Sequence, residues 1–349
     1  MDIFSTAVLA RVVEALNRPQ SFLLDAFFPE VQTEPGSEEI HFDIDKSKPK
    51  LTPFVSPLRA GKVVTESGFE TKSFKPAYAK EKRVFDANGP LRRSIGEKIG
   101  GSLSPAQRQD AAVARNLADM LARLIRRKEW MASTVLRTGT VTITGDDYPA
   151  RLVDFGRAAG NTVALTSGDR WGETGVSPYD NVQTWINTVA TNGGGAVTRV
   201  VMDPKAWELF IADPKVEKRL EYLRAGGITE LQIGMVARGQ TTATQDPVYA
   251  AYHGNIGNVE FWTYSQPYED DSGSVQNFMP DYTVLLGGPA IQGVRAYAAI
   301  RDPKANYEAL EYFVKSWEEE DPAVRILLLQ CAPLVVPYRA NGSFCATVR

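Results

Sequence analysis

His41, His253, Cys331 and Cys345 are all the histidines and cysteines of this sequence. A tetrahedral zinc site draws four such ligands together, usually in closely spaced pairs, and here each stands alone. A serine or cysteine nucleophile would need one of the two histidines as its base. His41 sits in an alternating, strand-like stretch and His253 precedes Gly254, with no G-x-S-x-G elbow in the chain. Phosphate cradles are missing too. Neither G-x-x-x-x-G-K-[ST] nor G-x-G-x-x-G occurs, and Gly193-Gly194-Gly195 precedes a strand and reads as a turn. Acidic pairs stand at Asp43/Asp45, Asp146/Asp147, Asp270/Asp271 and Glu318-Glu319-Glu320-Asp321. Metal binding or paired-carboxylate hydrolysis needs such groups to converge on one pocket. Each lies among turn-forming neighbours and reads as solvated charge. The tryptophans at 171, 185, 207, 262 and 317 read as core anchors. The chain is therefore expected not to be an enzyme and to need no cofactor and no metal.

The elements around these residues follow from pattern and charge. The 349 residues are 43% hydrophobic and 23% charged, the composition of a folded chain of two or three lobes. No run of about 18 apolar residues is present, so no membrane span is expected. No basic residue precedes the first apolar group, so neither is export. With 39 Lys/Arg against 42 Asp/Glu the net charge is −3, unlike a dedicated nucleic-acid binder. Residues 41–98 nevertheless hold 13 Lys/Arg and 7 Asp/Glu, a net of +6 on a body of −9. Such a split suits a segment that steers onto a neighbouring copy; it also suits a solvated basic hairpin.

Residues 6–17 read as a short amphipathic helix stopped by Pro19, followed by the apolar cluster Phe22, Leu23, Leu24, Phe27 and Phe28. These side chains need a surface, on this chain or another. Residues 38–85 alternate as extended structure with too few large apolar residues for a core, which predicts a projecting β-hairpin. Ser104-Pro105-Ala106-Gln107 is a capping box with proline at the first helical position, and Gly139 closes the same segment. A helix over about 105–138 follows, about 50 Å long. Beyond it come strands between 140 and 165 and helices capped by Ser177-Pro178 and Asp203-Pro204. Further strands are read at 197–202, 259–264 and 282–286, with one late buried strand over 325–338. The glycine-containing stretch 226–245 reads as a loop. An arm and a hairpin that cannot fold on themselves should be buried on other copies, the design of a shell subunit.

Four stretches, in order along the chain, also resemble a known family: Val55-Ser56-Pro57 through Pro76-Ala77-Tyr78 to Leu91-Arg92-Arg93; Val201-Met202-Asp203-Pro204-Lys205-Ala206-Trp207; Asn277-Phe278-Met279-Pro280-Asp281 to Gly293-Val294-Arg295-Ala296-Tyr297; and Gln330-Cys331-Ala332-Pro333-Leu334. The chain resembles the lambda-type major capsid (major head) proteins of tailed phages, the gene E family. The resemblance implies an α+β fold, the tailed-phage major capsid fold of Hong Kong 97 type. Its parts would be an N-terminal arm (1–37), an extended β-hairpin loop (38–88), a peripheral domain (89–175 plus about 300–320) and an axial domain (the rest of 176–349), with the stretch 226–245 near a local symmetry axis. It implies a structural protein that assembles with itself into hexamers and pentamers of an icosahedral head around double-stranded DNA. The implied partners are a separate scaffolding protein, a portal at one vertex and a decoration protein. The implied place is the virion, with assembly in the host cytoplasm. Some capsid relatives crosslink through a loop lysine; lambda-type members are not expected to, so loop lysines read as ion-pair partners. The expected assembly contacts are Phe22, Leu24, Phe27 and Phe28 in the arm and Lys62, Lys72 and Lys75 in the loop. A cellular compartment shell protein of the same fold, and an α/β hydrolase with an acidic site, are the alternatives.

Overall fold

The structure is a computed structural model that describes residues 6–15, 21–34, 36–45, 51–52, 54–58, 60, 69–86, 104–145, 148–217, 249–270, 272–320 and 324–349. In chain order its elements are α1 (Thr6–Ala15), α2 (Phe22–Phe27), β1 (Glu30–Thr33), β2 (Ile40–Asp45), β3 (Phe69–Phe74), β4 (Ala79–Asp86), α3 (Pro105–Thr138), β5 (Thr140–Gly145), β6 (Tyr148–Asp154), β7 (Thr162–Ala164), α4 (Pro178–Thr191), β8 (Arg199–Met202) and α5 (Pro204–Ile211). They continue with β9 (Ala250–Ile256), β10 (Val259–Tyr264), β11 (Pro267–Glu269), β12 (Val275–Asn277), β13 (Thr283–Gly287), β14 (Gly293–Tyr297), β15 (Phe313–Glu319), β16 (Val324–Cys331), β17 (Pro333–Pro337) and β18 (Phe344–Thr347).

α3 forms where its caps place it. Ser104 and Gln107 satisfy each other's backbone N–H groups, Pro105 opens the first turn, and Gly139 ends the helix at φ 73° with its N–H on the Val135 carbonyl. Its 34 residues make a spine about 50 Å long. The two halves serve different cores. Val113, Leu117, Leu121 and Leu124 pack with Leu9 and Val13 of α1 and with Leu327 and Leu329 of β16. Met131, Ala132, Val135 and Leu136 pack into the main core with Leu23, Leu24, Phe27, Phe28 and Phe42.

The largest sheet runs β7-β18-β13-β8-β10-β9. Alternation divides its side chains between two layers. Val200, Met202, Val284, Leu286, Phe344 and Ala346 meet Trp185 of α4 and Phe210 of α5. Val201, Leu285 and Cys345 face the main core on the other side. A second sheet, β15-β16-β4, lies against the N-terminal half of α3, and a third, β1-β14-β17, carries the chain's first strand.

The extended region is divided. β2 and β3 form the predicted antiparallel hairpin, in register from Ile40↔Phe74 to Asp45↔Phe69. β4 leaves it and pairs with β16. Nor is the hairpin coreless, because Ile40, Phe42 and Ile44 are buried in the main core. The single strand expected over 325–338 is two strands in two sheets. The ladder changes at Ala332, whose carbonyl accepts from Ala298, and Pro333 has no N–H with which to continue the first pairing. The stretch 226–245 lies outside the described residues.

Candidate assembly surfaces

The arm residues do not form a surface. Leu24, Phe27 and Phe28 are buried in the chain's own core, and Phe22 packs on Trp262 and Tyr264 with ring centroids 5.2 and 5.3 Å apart. The expectation that they wait for a neighbouring copy is corrected: β1 pairs in parallel with β14, and that pairing carries the preceding α2 onto the spine. Two polar clamps complete the docking. The Glu129 carboxylate accepts from the N–H groups of Leu23 and Leu24 at 2.7 and 2.8 Å. Arg295 donates to the Leu24 carbonyl at 3.1 Å and to Asp25 at 2.5 Å.

The loop lysines are likewise engaged within the chain. Lys72 Nζ donates to the Asp154 carbonyl at 2.9 Å. Lys75 Nζ lies 2.6 Å from Glu38, which also pairs with Arg301. Arg301 first and then Lys75 hold the Glu38 carboxyl down to about 2. Lys72 thus ties the hairpin to the body, Lys75 closes the hairpin base on the Glu38 that Arg301 holds, and Lys62 lies outside the described residues.

The exposed surface lies elsewhere. Between β2 and β3, Leu51, Phe54 and Leu58 project into solvent at 96, 105 and 96% exposure, with Val55 beside them. Four apolar side chains within eight positions, three of them bare and Val55 partly covered, form a sticky loop rather than scattered surface residues. The sequence signal was there: apolar residues at 51, 54, 55 and 58, with Pro53 and Pro57 blocking a strand that could have buried them. A second surface is the face of β15-β16-β4 turned away from α3. It is a shallow depression of about 480 Å³ lined by Lys80, Lys82, Lys315, Trp317 and Leu328.

Among the described residues, those weighed for chemistry do not assemble a site. His253 stacks on Trp207 at 4.3 Å and contacts Thr263 Oγ1 at 2.9 Å, and burial lowers its pKa. Asp43 accepts from Thr71, Asp270 caps its own turn through Ser272 and Ser274, and Glu318 pairs with Arg325. Asp146, Asp147, Asp271 and Asp321 lie outside the described residues. Among the described residues no three acidic, histidine or cysteine side chains gather as metal ligands, and no helix is long and apolar enough to cross a membrane.

Comparison with known proteins assigns this architecture. The family model described as phage major capsid protein E matches residues 5–348. The chain belongs to that family. It is 28% identical to the major capsid protein of Escherichia phage lambda over 340 residues and 29% identical to that of Escherichia phage N15 over 341, covering 96% of both chains in each case. Among solved structures, a candidate capsid protein of an Escherichia coli CFT073 prophage superposes with a TM-score of 0.74 at 19% identity over 99% of both chains. A phage-related protein from Bordetella bronchiseptica superposes at 0.56 with 13% identity, over 97% of this chain and 96% of that one. The fold is the α+β Hong Kong 97-type capsid fold, and the chain is a structural major capsid protein of the tailed-phage kind.

Proposed function

We propose that this capsid protein assembles with itself into hexamers and pentamers of an icosahedral head that encloses double-stranded DNA. The observation that carries the reading is the apolar loop: Leu51, Phe54 and Leu58 are bare, whereas the other large apolar groups among the described residues are mostly covered. Fully burying a leucine or phenylalanine is worth roughly 1.5–3 kcal/mol, so three on every subunit, repeated around a shell, supply a large share of its cohesion. The loop takes the inter-subunit role that the arm residues do not.

In this reading the axial domain centres on the six-stranded sheet with α4 and α5. The peripheral domain centres on the N-terminal half of α3 with β15-β16-β4, and the extended loop spans β2 to β3. The head is built in the host cytoplasm with a separate scaffolding protein, a portal at one vertex and a decoration protein on the shell. It remains in the virion in non-specific contact with the packaged DNA.

Negative-stain microscopy with light scattering tests the reading. Wild-type protein is expected to give shells, tubes or isolated rings, and the Leu51→Ser/Phe54→Ser/Leu58→Ser variant dispersed subunits with an unchanged melting temperature. Normal shells from that variant would remove the loop from assembly, and uniform monomers from the wild type in every condition would remove the function.

A further inference from the structure

The face of β15-β16-β4 turned away from α3 is ordered by strand register into rows. Lys82, Leu328 and Lys315 form one, Val84, Ile326 and Trp317 the next, and Lys80, Gln330 and Phe313 a third. The opposite side chains, Leu327, Leu329 and Cys331, enter the spine core. The third row is covered within the chain, since Phe313 packs on Ile300 and Ala305 and Gln330 donates to Asp302, and Ile326 and Leu328 are themselves buried; the open part of the face is Val84 and the half-buried Trp317 beside the cations. Val84 is 57% exposed, and Trp317 lines the depression above the buried Leu328. Lys315 is neutralised by Asp302. Lys80 and Lys82 are exposed and have no ion-pair partner among the described residues. A surface that is apolar and doubly positive is covered at least cost by a partner bringing one apolar group and two carboxylates together.

The same chain carries such a partner. In the two-stranded β11–β12 hairpin, Glu269 stands directly across from Val275, which is 73% exposed, and Asp270 follows at the turn. The hairpin is held in shape before any contact. Asp270 Oδ1 accepts from Ser272 N at 2.9 Å and Ser274 N at 3.0 Å. At its base Tyr268 stacks on the buried Phe278 at 4.8 Å, and the Phe278 carbonyl accepts from Ser133 of α3. A preformed knob loses little entropy on docking. The two patches belong to different regions of α3. The hairpin is anchored at Ser133, whereas the sheet packs over Val113 to Leu124, a turn or more nearer the N-terminus.

We propose that the β11–β12 hairpin of one copy docks on the outward face of β15-β16-β4 of a second copy, setting Glu269 and Asp270 against Lys80 and Lys82 and Val275 against Val84 and Trp317. The proposal rests on the self-assembly reading above. Two different patches meet, so the contact is heterologous: it propagates from copy to copy and closes into a ring when the rotation allows.

Reciprocal charge reversal tests it. Lys82→Glu and Glu269→Lys are each expected to cut the yield of assembled particles at least tenfold at physiological salt, with melting temperatures of the dispersed subunits unchanged. Combining both in one chain restores the pair with its signs exchanged and is expected to recover assembly. Wild-type yield from either single variant overturns the docking. A combined variant no better than the poorer single one also overturns it, because the basic face then serves a different acidic partner. Both outcomes leave wild-type shells intact, whereas a wild type that forms no particles defeats the self-assembly reading itself.

Discussion

Glu129, in the C-terminal half of the spine helix, accepts a hydrogen bond at 2.7 Å from the backbone N–H of Leu23, 106 residues earlier. Its second oxygen takes Leu24 N, and the Tyr264 hydroxyl donates to the first at 2.8 Å. The α2 helix has no cap of its own, since the Ser21 side chain caps nothing and bonds to Asp25 instead. A carboxylate from another element therefore satisfies N–H groups that a short helix leaves unpaired. Glu129→Ala is expected to cost roughly 3 kcal/mol, because two buried donors lose their acceptor. Urea denaturation measures this, and a change below about 0.5 kcal/mol would mean that water replaces the carboxylate.

The same group makes stability depend on pH. Burial raises its pKa from 4.5 to about 7 in the folded chain, against the lowering pull of the two backbone donors. A raised folded pKa means that the native state holds the proton more tightly. The contribution is complete below about 4.5 and is lost as pH rises through about 7. Melting temperatures recorded from pH 4.5 to 8 should carry this downward component, worth up to about 3 kcal/mol. In Glu129→Gln that component should vanish, and a profile identical to wild type would assign the slope to other groups.

Lys128, the preceding residue, points the other way. Its Nζ is buried, 2.9 Å from Tyr297 Oη and 3.1 Å from Glu311. Removing the carboxylate with Glu311→Leu strands a buried cation and is expected to destabilise by about 3 kcal/mol. Lys128→Met/Glu311→Leu should recover most of that loss, because the pair's desolvation cost disappears with it. A double-mutant cycle in denaturant gives the coupling directly.

Gly293 opens β14 where the arm crosses it. A Cβ there would stand 2.1 Å from the Phe27 carbonyl oxygen and 2.5 Å from Phe28 Cδ1. Backbone cannot yield as a flexible side chain does, so Gly293→Ala should displace α2 and β1 at a cost of about 1–3 kcal/mol. Hydrogen exchange should show faster amides confined to residues 21–33 and their β14 partners. Unchanged protection there would mean that the arm shifts without loosening.

Both thiols are sealed. Burial pushes Cys331 up to about 12 and Cys345 up to about 11. Since the thiolate is the reactive form, native protein should give no reaction with a disulfide reagent over an hour at pH 8, and two thiols per chain in denaturant. A fast native reaction at either position would indicate local opening of its strand.

What the sequence disclosed depended on where each element's partner lies. The spine was legible end to end because its stop signals, Ser104-Pro105 and Gly139, are local. The β2–β3 hairpin was legible from alternation. The arm was misread because the groups that hold it, Glu129, Arg295 and the edge of β14, are remote in sequence. An apolar cluster shows that it needs a surface, not whose surface it is. The change of sheet at Ala332 was hidden for the same reason, since both sides are equally apolar and differ only in their ladder partners. Lys72 and Lys75 drew notice through charge, and their acceptors, Asp154 and Glu38, carried no pattern linking them.

The position of β18 has a consequence for how the chain is made. Residues 344–347 lie inside the large sheet, between β7 and β13, not at its edge. A ribosome delivers β8 long before β18, and the stretch from Met202 to Phe344 takes on the order of ten seconds to synthesise. Throughout that interval β7 has no neighbour and β13, once made, has an open side. The sheet closes only with the strand that is translated last of all its members. A truncated product lacking β18 cannot complete the sheet, so full-length translation becomes a condition for entering the shell.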